Sequence, residues 1–392
     1  MLSISVIIPA YNQAQYLAIA IQSVLDQTFD DYEIIVIDDG STDNTREIAQ
    51  SFGEKIRYIC QTNKGLAGAR NAGIVQATGE YIALLDSDDQ WLPNHLNTLI
   101  TLTKQHSTAS VFYSGARYID AKGHHLPQLT GNHAVLPSDN IYEALLEANF
   151  IIPSTAMLRR KVASEVGLFD ECPAIKGCED WDIWLRLAKQ GYKFVGASEC
   201  TIHYRLHGSS LSANPTKMQN AALSVIEKHF GPDGGQPQSW SSDKRRAYGG
   251  VYRYHGITSI IRQGDWLSCA LFLQKAFQID PTLADDLDLF YELALGSQPL
   301  GYRGTIYHLD LKNNEAHLTT LLAEIFHQPF FNRLDFLCRR SFGSAYYALG
   351  LIAYNLGYYS LSWQYLILSL KFKPILLSNP QIIKTILKSF IK

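Results

Sequence analysis

Three short polar clusters hold the residues best suited to chemistry. Pro9-Ala10-Tyr11-Asn12, Asp38-Asp39-Gly40-Ser41 and Asp86-Ser87-Asp88-Asp89 each follow a short apolar run directly. Alternate residues at the end of a strand point the same way, so Asp86 and Asp88 can face one ligand. Left alone, two such carboxylates repel. A hard divalent cation, Mg²⁺ or Mn²⁺, removes that cost and needs only one or two carboxylates when phosphate oxygens supply the rest. The loop is not an EF-hand, because Trp91 stands where that loop needs Gly and Asn97 where it needs Glu. No Gly-x-x-x-x-Gly-Lys-Ser/Thr loop is present to cradle phosphates. Taken singly, Asp, Ser and Gly at such places are ordinary caps and turn residues. Three clusters at the same relative position call for a common ligand.

The elements that would position them alternate. Strand patterns at Ser5–Ile8, Glu33–Ile37, Ile56–Ile59 and Tyr81–Leu85 are separated by helix patterns at Gln15–Gln27, Asp43–Phe52 and Leu66–Ala77. That order implies βαβ units, a mostly parallel sheet and an α/β fold, with ligands bound beyond the carboxyl ends of the strands. Further on, Val111–Ile119, Phe194–Ala197 and Thr201–Arg205 read as strands. Asp180–Lys189 reads as an amphipathic helix, with Trp181, Trp184 and Leu187 as its core anchors. The Gly- and Pro-punctuated stretch from Gly231 divides the chain into domains 1–230 and 241–392, joined by a linker at 231–240. The second part is helical throughout. Gly264 precedes Pro281 as Gly357 precedes Pro374, and Gly256 and Gly350 sit one helix earlier, which suggests two degenerate tetratricopeptide-type hairpins.

The ordered set Pro9-Ala10-Tyr11-Asn12, Asp38-Asp39-Gly40-Ser41, Gly68-Ala69-Arg70-Asn71-Ala72-Gly73, Asp86-Ser87-Asp88-Asp89 and Glu179-Asp180 resembles family 2 glycosyltransferases of the GT-A fold. The resemblance covers residues 3 to about 215 and says nothing of the helical part. It implies inverting transfer of a sugar from a nucleotide-diphosphate sugar, with UDP-sugars as the default, to a hydroxyl of a saccharide or lipid-linked acceptor. By the same resemblance Tyr11 stacks on the nucleobase and Asp39 accepts from it. Asp86 lies near ribose and metal, Asp88 ligates the metal, and Arg70 approaches the phosphates or braces the acidic loop. Pro9, Asn12 and Ser87 complete the donor side. Asp180 is the general base, and its place at a helix start favours the ionised form a base needs. Glu179 caps the helix or orients the acceptor, with Trp181 beside it. His207 falls where the family often closes a His-Gly segment over the diphosphate, as a further metal ligand or a phosphate partner.

Two rival classes stand beside this. A nucleotidyltransferase would carry a basic Gly-rich loop after the first strand, where Pro9-Ala10-Tyr11-Asn12 stands. A scaffold with a decayed transferase half would not need Asp39, Asp86, Asp88 and Asp180 together. No Gln-x-x-Arg-Trp segment or flanking membrane spans are present, so addition of single residues in polysaccharide biosynthesis is expected rather than processive synthesis.

Composition sets the remaining bounds. Lys and Arg number 34 against 37 Asp and Glu, which disfavours nucleic acid as a partner bound by bulk charge. The N-terminus has no basic segment of a secretion signal, and the six cysteines form no Cys-x-x-Cys pair. A cytoplasmic protein with free thiols is therefore expected. From Ser341 to Leu370 there is no charged residue. A buried helical hairpin turning at Asn355-Leu356-Gly357 is favoured over a membrane span. The tail Lys371–Lys392 has five Lys and no acid, making the helical region a candidate for peripheral membrane or protein contact at the cytoplasmic membrane face.

Overall fold

The computed structural model describes residues 3–130, 140–208, 210–299, 309–328 and 335–378. The chain divides into two compact units, Met1–Pro232 and Asp233–Lys392.

The first unit is built on one nine-stranded sheet. In chain order its elements are β1 (Ile4–Ala10), α1 (Ala14–Leu25), β2 (Tyr32–Asp38), α2 (Thr45–Gln50), β3 (Arg57–Cys60), α3 (Gly65–Gln76), β4 (Tyr81–Leu84), β5 (Gln90–Trp91), α4 (His95–Gln105), β6 (Val111–Ile119), β7 (His125–Thr130), α5 (Ile141–Glu147), β8 (Ala156–Arg159), α6 (Arg160–Glu165), α7 (Glu179–Lys189), β9 (Phe194–Arg205) and α8 (Pro215–Phe230). The strand order is β3-β2-β1-β4-β8-β6-β9-β5, with β7 added on β6. Strands β3, β2, β1 and β4 run parallel. Their loops therefore converge at one edge. Strand β8 is antiparallel to both β4 and β6, while β6 and β9 run parallel.

Strand β1 is buried along its whole length, as expected of a central parallel strand covered on both faces. Val6 and Ile8 pack in one cluster with Leu17, Ile21 and Val24 of α1 and Leu96 and Leu99 of α4. Burying each such side chain stabilises the fold by about 1.5–3 kcal/mol. On the other face α3 lies close to β1. A Cβ on Gly73 would stand 2.5 Å from Ile7, so only glycine lets the helix approach this near.

Two expectations change in detail. Phe194–Arg205 is one strand rather than two, and its register against β6 slips around Gly115. A Cβ on Gly115 would meet the Cys200 sulfur at 2.8 Å, which places the irregularity there. Asp43 lies outside α2. Its carboxylate takes the backbone N–H of Thr45 and, across the sheet edge, that of Ala14 at the start of α1.

The second unit is helical among the described residues: α9 (Ser242–Gln263), α10 (Trp266–Ile279), α11 (Leu287–Ala294), α12 (Leu311–Phe326), α13 (Asp335–Asn355) and α14 (Tyr359–Phe372). Helices α9 and α10 form one hairpin, turning at Gly264 in the left-handed region. The uncharged segment forms the second, α13 and α14, turning at Gly357 with φ +80°. The two hairpins pack in the same way inside. A Cβ on Gly256 would touch Leu273 of the facing helix at 3.0 Å, and one on Gly350 would touch Leu366 at 2.8 Å. Buried hydroxyls replace charge here, with Ser344 donating to the Ala284 carbonyl and Ser362 to that of Gly350. No described helix is long and apolar enough to cross a membrane. Residues 379–392 of the basic tail lie outside the described residues. Asp233–Trp240 packs within this unit: Tyr252 donates to Asp233, and Trp240 Nε1 to the Gly234 carbonyl at 3.0 Å.

Candidate active site

The loops after β1, β2 and β4 meet, and hydrogen bonds tie them together. Asn12 is left-handed, with φ +52°. Its N–H donates to Ser41 Oγ at 2.9 Å, and its Oδ1 accepts the Thr42 N–H at 2.8 Å. Tyr11, next to it, is half exposed at the rim, while Pro9 is buried within β1. Asp39 is buried and turns toward α3. Its Oδ1 accepts from Gln61 Nε2 and the Lys64 N–H, and its Oδ2 from the Gly65 N–H at 2.8 Å. It thus holds the start of α3, and Oδ2 keeps acceptor capacity for a ligand donor. Gly40 makes this approach feasible, since a Cβ there would sit 3.1 Å from the Asn63 backbone nitrogen.

Arg70 on α3 is the centre of the site and is 1% exposed. Its Nη2 donates to Asp86 Oδ1 at 2.7 Å and its Nη1 to Glu179 Oε1 at 2.7 Å. The guanidinium lies 5.4 Å from the centre of the Phe169 ring. A planar fork with fixed donors suits such a bridge. One cation therefore joins the acidic loop after β4 to the first turn of α7. Glu179 spends its second oxygen on the Gly177 N–H at 2.7 Å. Trp181 is buried, and its Nε1 donates to the Leu145 carbonyl. Both side chains are buried, and Glu179 lies at the edge of the cavity beside α3.

Asp180 is held by Asn149, which donates to Oδ2 at 2.9 Å, and by the Trp181 N–H, which donates to Oδ1 at 2.8 Å. Burial above all, then the neighbouring Glu179 charge, pushes its carboxyl up to about 7, against the opposing pull of Arg70. The helix start does favour the anion, but desolvation outweighs it here. The result is a carboxyl whose proton is held and released near neutrality, as a general base requires.

Asp88 faces His207, whose Nε2 lies 2.8 Å from Oδ2. Two ligands of one cation with bonds of about 2.1 Å lie at comparable separation. Among the described residues no group of three or more His, Cys, Asp or Glu forms a ready-made metal cage. Ser87, between the two acids, is buried. A cavity of about 190 Å³ borders this region, lined by Asn63–Ala67, by Asp170–Pro173 and by Lys176 and Glu179.

Four residues in this site belong to no motif. Asn149 orients Asp180. Ser154 and Arg205 hold the acidic loop. Tyr16 of α1 packs 5.0 Å from His207 and under the Arg205 guanidinium at 4.7 Å. The only local signal was the alternation of Arg205 and His207 at the end of β9.

The model of glycosyl transferase family 2 matches residues 5–167. The putative teichuronic acid biosynthesis glycosyltransferase TuaG of Bacillus subtilis is 34% identical over 218 residues, covering 55% of this chain and 83% of TuaG. The chain belongs to glycosyltransferase family 2. A second relative is WfaP of Escherichia coli, a UDP-Glc:alpha-D-GlcNAc-diphosphoundecaprenol beta-1,3-glucosyltransferase. It is 36% identical over 217 residues, covering 55% of this chain and 81% of WfaP. Among solved structures, S. aureus TarS residues 1-349 in complex with UDP-GlcNAc aligns with a TM-score of 0.49 and 17% identity, over 91% of this chain and 92% of that one. Family membership makes the protein a glycosyltransferase and argues against the nucleotidyltransferase reading.

Proposed function

We propose that the enzyme moves a single sugar from a UDP-sugar to a hydroxyl of a saccharide or lipid-linked acceptor, with inversion and with metal assistance. One observation carries the reading. Arg70 binds Asp86 and Glu179 at once, so a donor-side acidic loop and a carboxyl at Asp180 with a value of about 7 share one site. The activity of WfaP, with a UDP-sugar donor and a lipid diphosphate acceptor, supports the substrate classes.

Tyr11 offers its exposed ring to the nucleobase, and Asp39 its spare acceptor. Pro9, Asn12 and Ser87 line the donor side, and Asp86 lies toward the ribose. Asp88 and His207, with Asp86 beside them, are the residues that would hold Mg²⁺ or Mn²⁺. Bound there, the cation would supply Lewis-acid stabilisation of charge on the leaving diphosphate. Asp180 takes the proton of the acceptor hydroxyl as its oxygen attacks the anomeric carbon and the bond to the diphosphate breaks. Glu179 keeps Arg70 in place rather than meeting the acceptor. The basic, helical second unit is the candidate for holding the enzyme at the membrane face where lipid-linked acceptors lie.

A thermal-shift panel of UDP-, GDP- and dTDP-sugars with Mn²⁺ tests the donor assignment. UDP-sugars should raise the melting temperature in wild type, and Asp88→Ala should lose the Mn²⁺-dependent part. Equal response to all bases, or a Mn²⁺ effect that survives Asp88→Ala, contradicts the assignment.

A further inference from the structure

We infer that Ser154, Asp89 and Arg205 form a positioning clamp. It fixes the Asp86–Asp88 turn and His207 in the arrangement that receives a divalent cation and a diphosphate. The inference rests on the assignment of Asp88 and His207 above.

The acidic turn is crowded. Asp86, Asp88 and Asp89 fall within four residues, and mutual repulsion would spread them. The structure shows what holds them instead. Ser154 Oγ accepts the Asp86 N–H at 3.0 Å and donates to Asp89 Oδ2 at 2.5 Å. Asp89 Oδ1 accepts the Arg205 N–H at 2.9 Å, and Arg205 Nε donates to the Asp88 carbonyl at 2.7 Å. The Asp89 N–H closes the turn on the Asp86 carbonyl at 3.0 Å. The backbones on both sides of Ser87 are thus gripped from behind, while the partly exposed Asp86 and Asp88 side chains turn to Arg70 and His207.

Asp89 is the one acid of the three turned inward. It is 1% exposed, with Ser154 at 0% and Arg205 at 3%. Buried polar groups of this kind are costly unless every partner is present, and here the partners are. The same clamp reaches His207. Arg205 lies two residues before it, and the guanidinium and the imidazole both lie against the Tyr16 ring, at 4.7 and 5.0 Å. Trp91, just after the turn, pairs with Ile202 of β9 and donates through Nε1 to the Ser154 carbonyl at 2.7 Å. The acidic loop, the β9 end and residue 154 are therefore tied into one hydrogen-bonded unit. Neither Ser154 nor Asp89 touches the ligand side, so both are positioning residues.

The test is the affinity of the full-length protein for Mn²⁺ alone, by electron paramagnetic resonance, with melting temperatures alongside. Ser154→Ala should weaken Mn²⁺ about tenfold. Ser154→Thr, which keeps the hydroxyl, should stay within threefold of wild type. Arg205→Lys keeps the backbone N–H but loses the reach to the Asp88 carbonyl, and should weaken Mn²⁺ about fivefold. A Ser154→Ala protein that melts lower but binds Mn²⁺ within twofold of wild type has only a structural serine and overturns the clamp. If Ser154→Ala does not fold, Arg205→Lys decides by the same criterion. If wild type binds no Mn²⁺, the metal assignment fails instead. The clamp is then judged by binding of UDP or GDP, whichever is tighter, in EDTA: a tenfold loss in Ser154→Ala supports it and an unchanged affinity overturns it.

Discussion

Asp180→Asn should leave the enzyme inactive and more stable, but more stable only at alkaline pH. The isosteric amide keeps both hydrogen bonds: its Oδ1 accepts the Trp181 N–H, and Asn149 turns over its own amide to accept from the new Nδ2. What changes is the charge. Raising a carboxyl from its ordinary 3.8 to about 7 corresponds to about 4 kcal/mol between its two protonation states. The folded value lies above the unfolded one, so the native state holds a proton that the unfolded chain has lost. Native stability therefore falls as pH climbs from about 4 to about 7, and the full cost is present above that. Weaker hydrogen bonds to the neutral amide offset about half of the gain. A net gain of about 2 kcal/mol raises the melting temperature of a unit this size by roughly 4–8 °C. Scanning calorimetry of the full chain at pH 8 and pH 4.5 reads this directly, with the difference expected at pH 8 alone. Release of UDP from UDP-glucose should fall by about 10²–10⁴, and in wild type its rate should rise with pH through about 7. An Asp180→Asn protein no more stable at pH 8 than wild type, or one with near-normal turnover, would refute the reasoning.

Other substitutions probe the framework. Arg70→Ala leaves the buried Glu179 and the partly exposed Asp86 without their cation and should cost about 3–5 kcal/mol in urea unfolding. Arg70→Lys should recover only part of it, because one ammonium lacks the fork that spans both carboxylates. Gly350→Val drives a side chain into Leu366, 2.8 Å from where its Cβ must lie, and should destabilise by about 1–3 kcal/mol. Gly256→Val meets Leu273 at 3.0 Å and should cost less in the same assay.

The candidate acids were legible in the sequence, because their spacing is local. Asp86 and Asp88 are two apart in the turn that follows β4 rather than on the strand itself, and Asp180 opens a helix whose Trp and Leu spacing shows its buried face. The residues that hold these acids were not legible. Ser154 meets Asp89 across 65 positions, Arg205 meets it across 116, and Asn149 reaches Asp180 across 31. No local spacing encodes such pairs; only the closed sheet does. Strand β5 is two residues long and has no pattern of its own; β9 creates it by pairing. The charge state of Asp180 followed the same rule. Helix position argued for an easy anion, and burial beside Glu179, visible only in three dimensions, argued more strongly against it.

The central claim is a single displacement at the anomeric carbon with a proton taken from the attacking oxygen. Proton NMR of the sugar released from UDP-glucose incubated with the enzyme, with water as acceptor, tests it most directly. β-Glucose should appear first, before mutarotation, and should vanish with Asp180→Asn. Initial release of α-glucose would contradict the account.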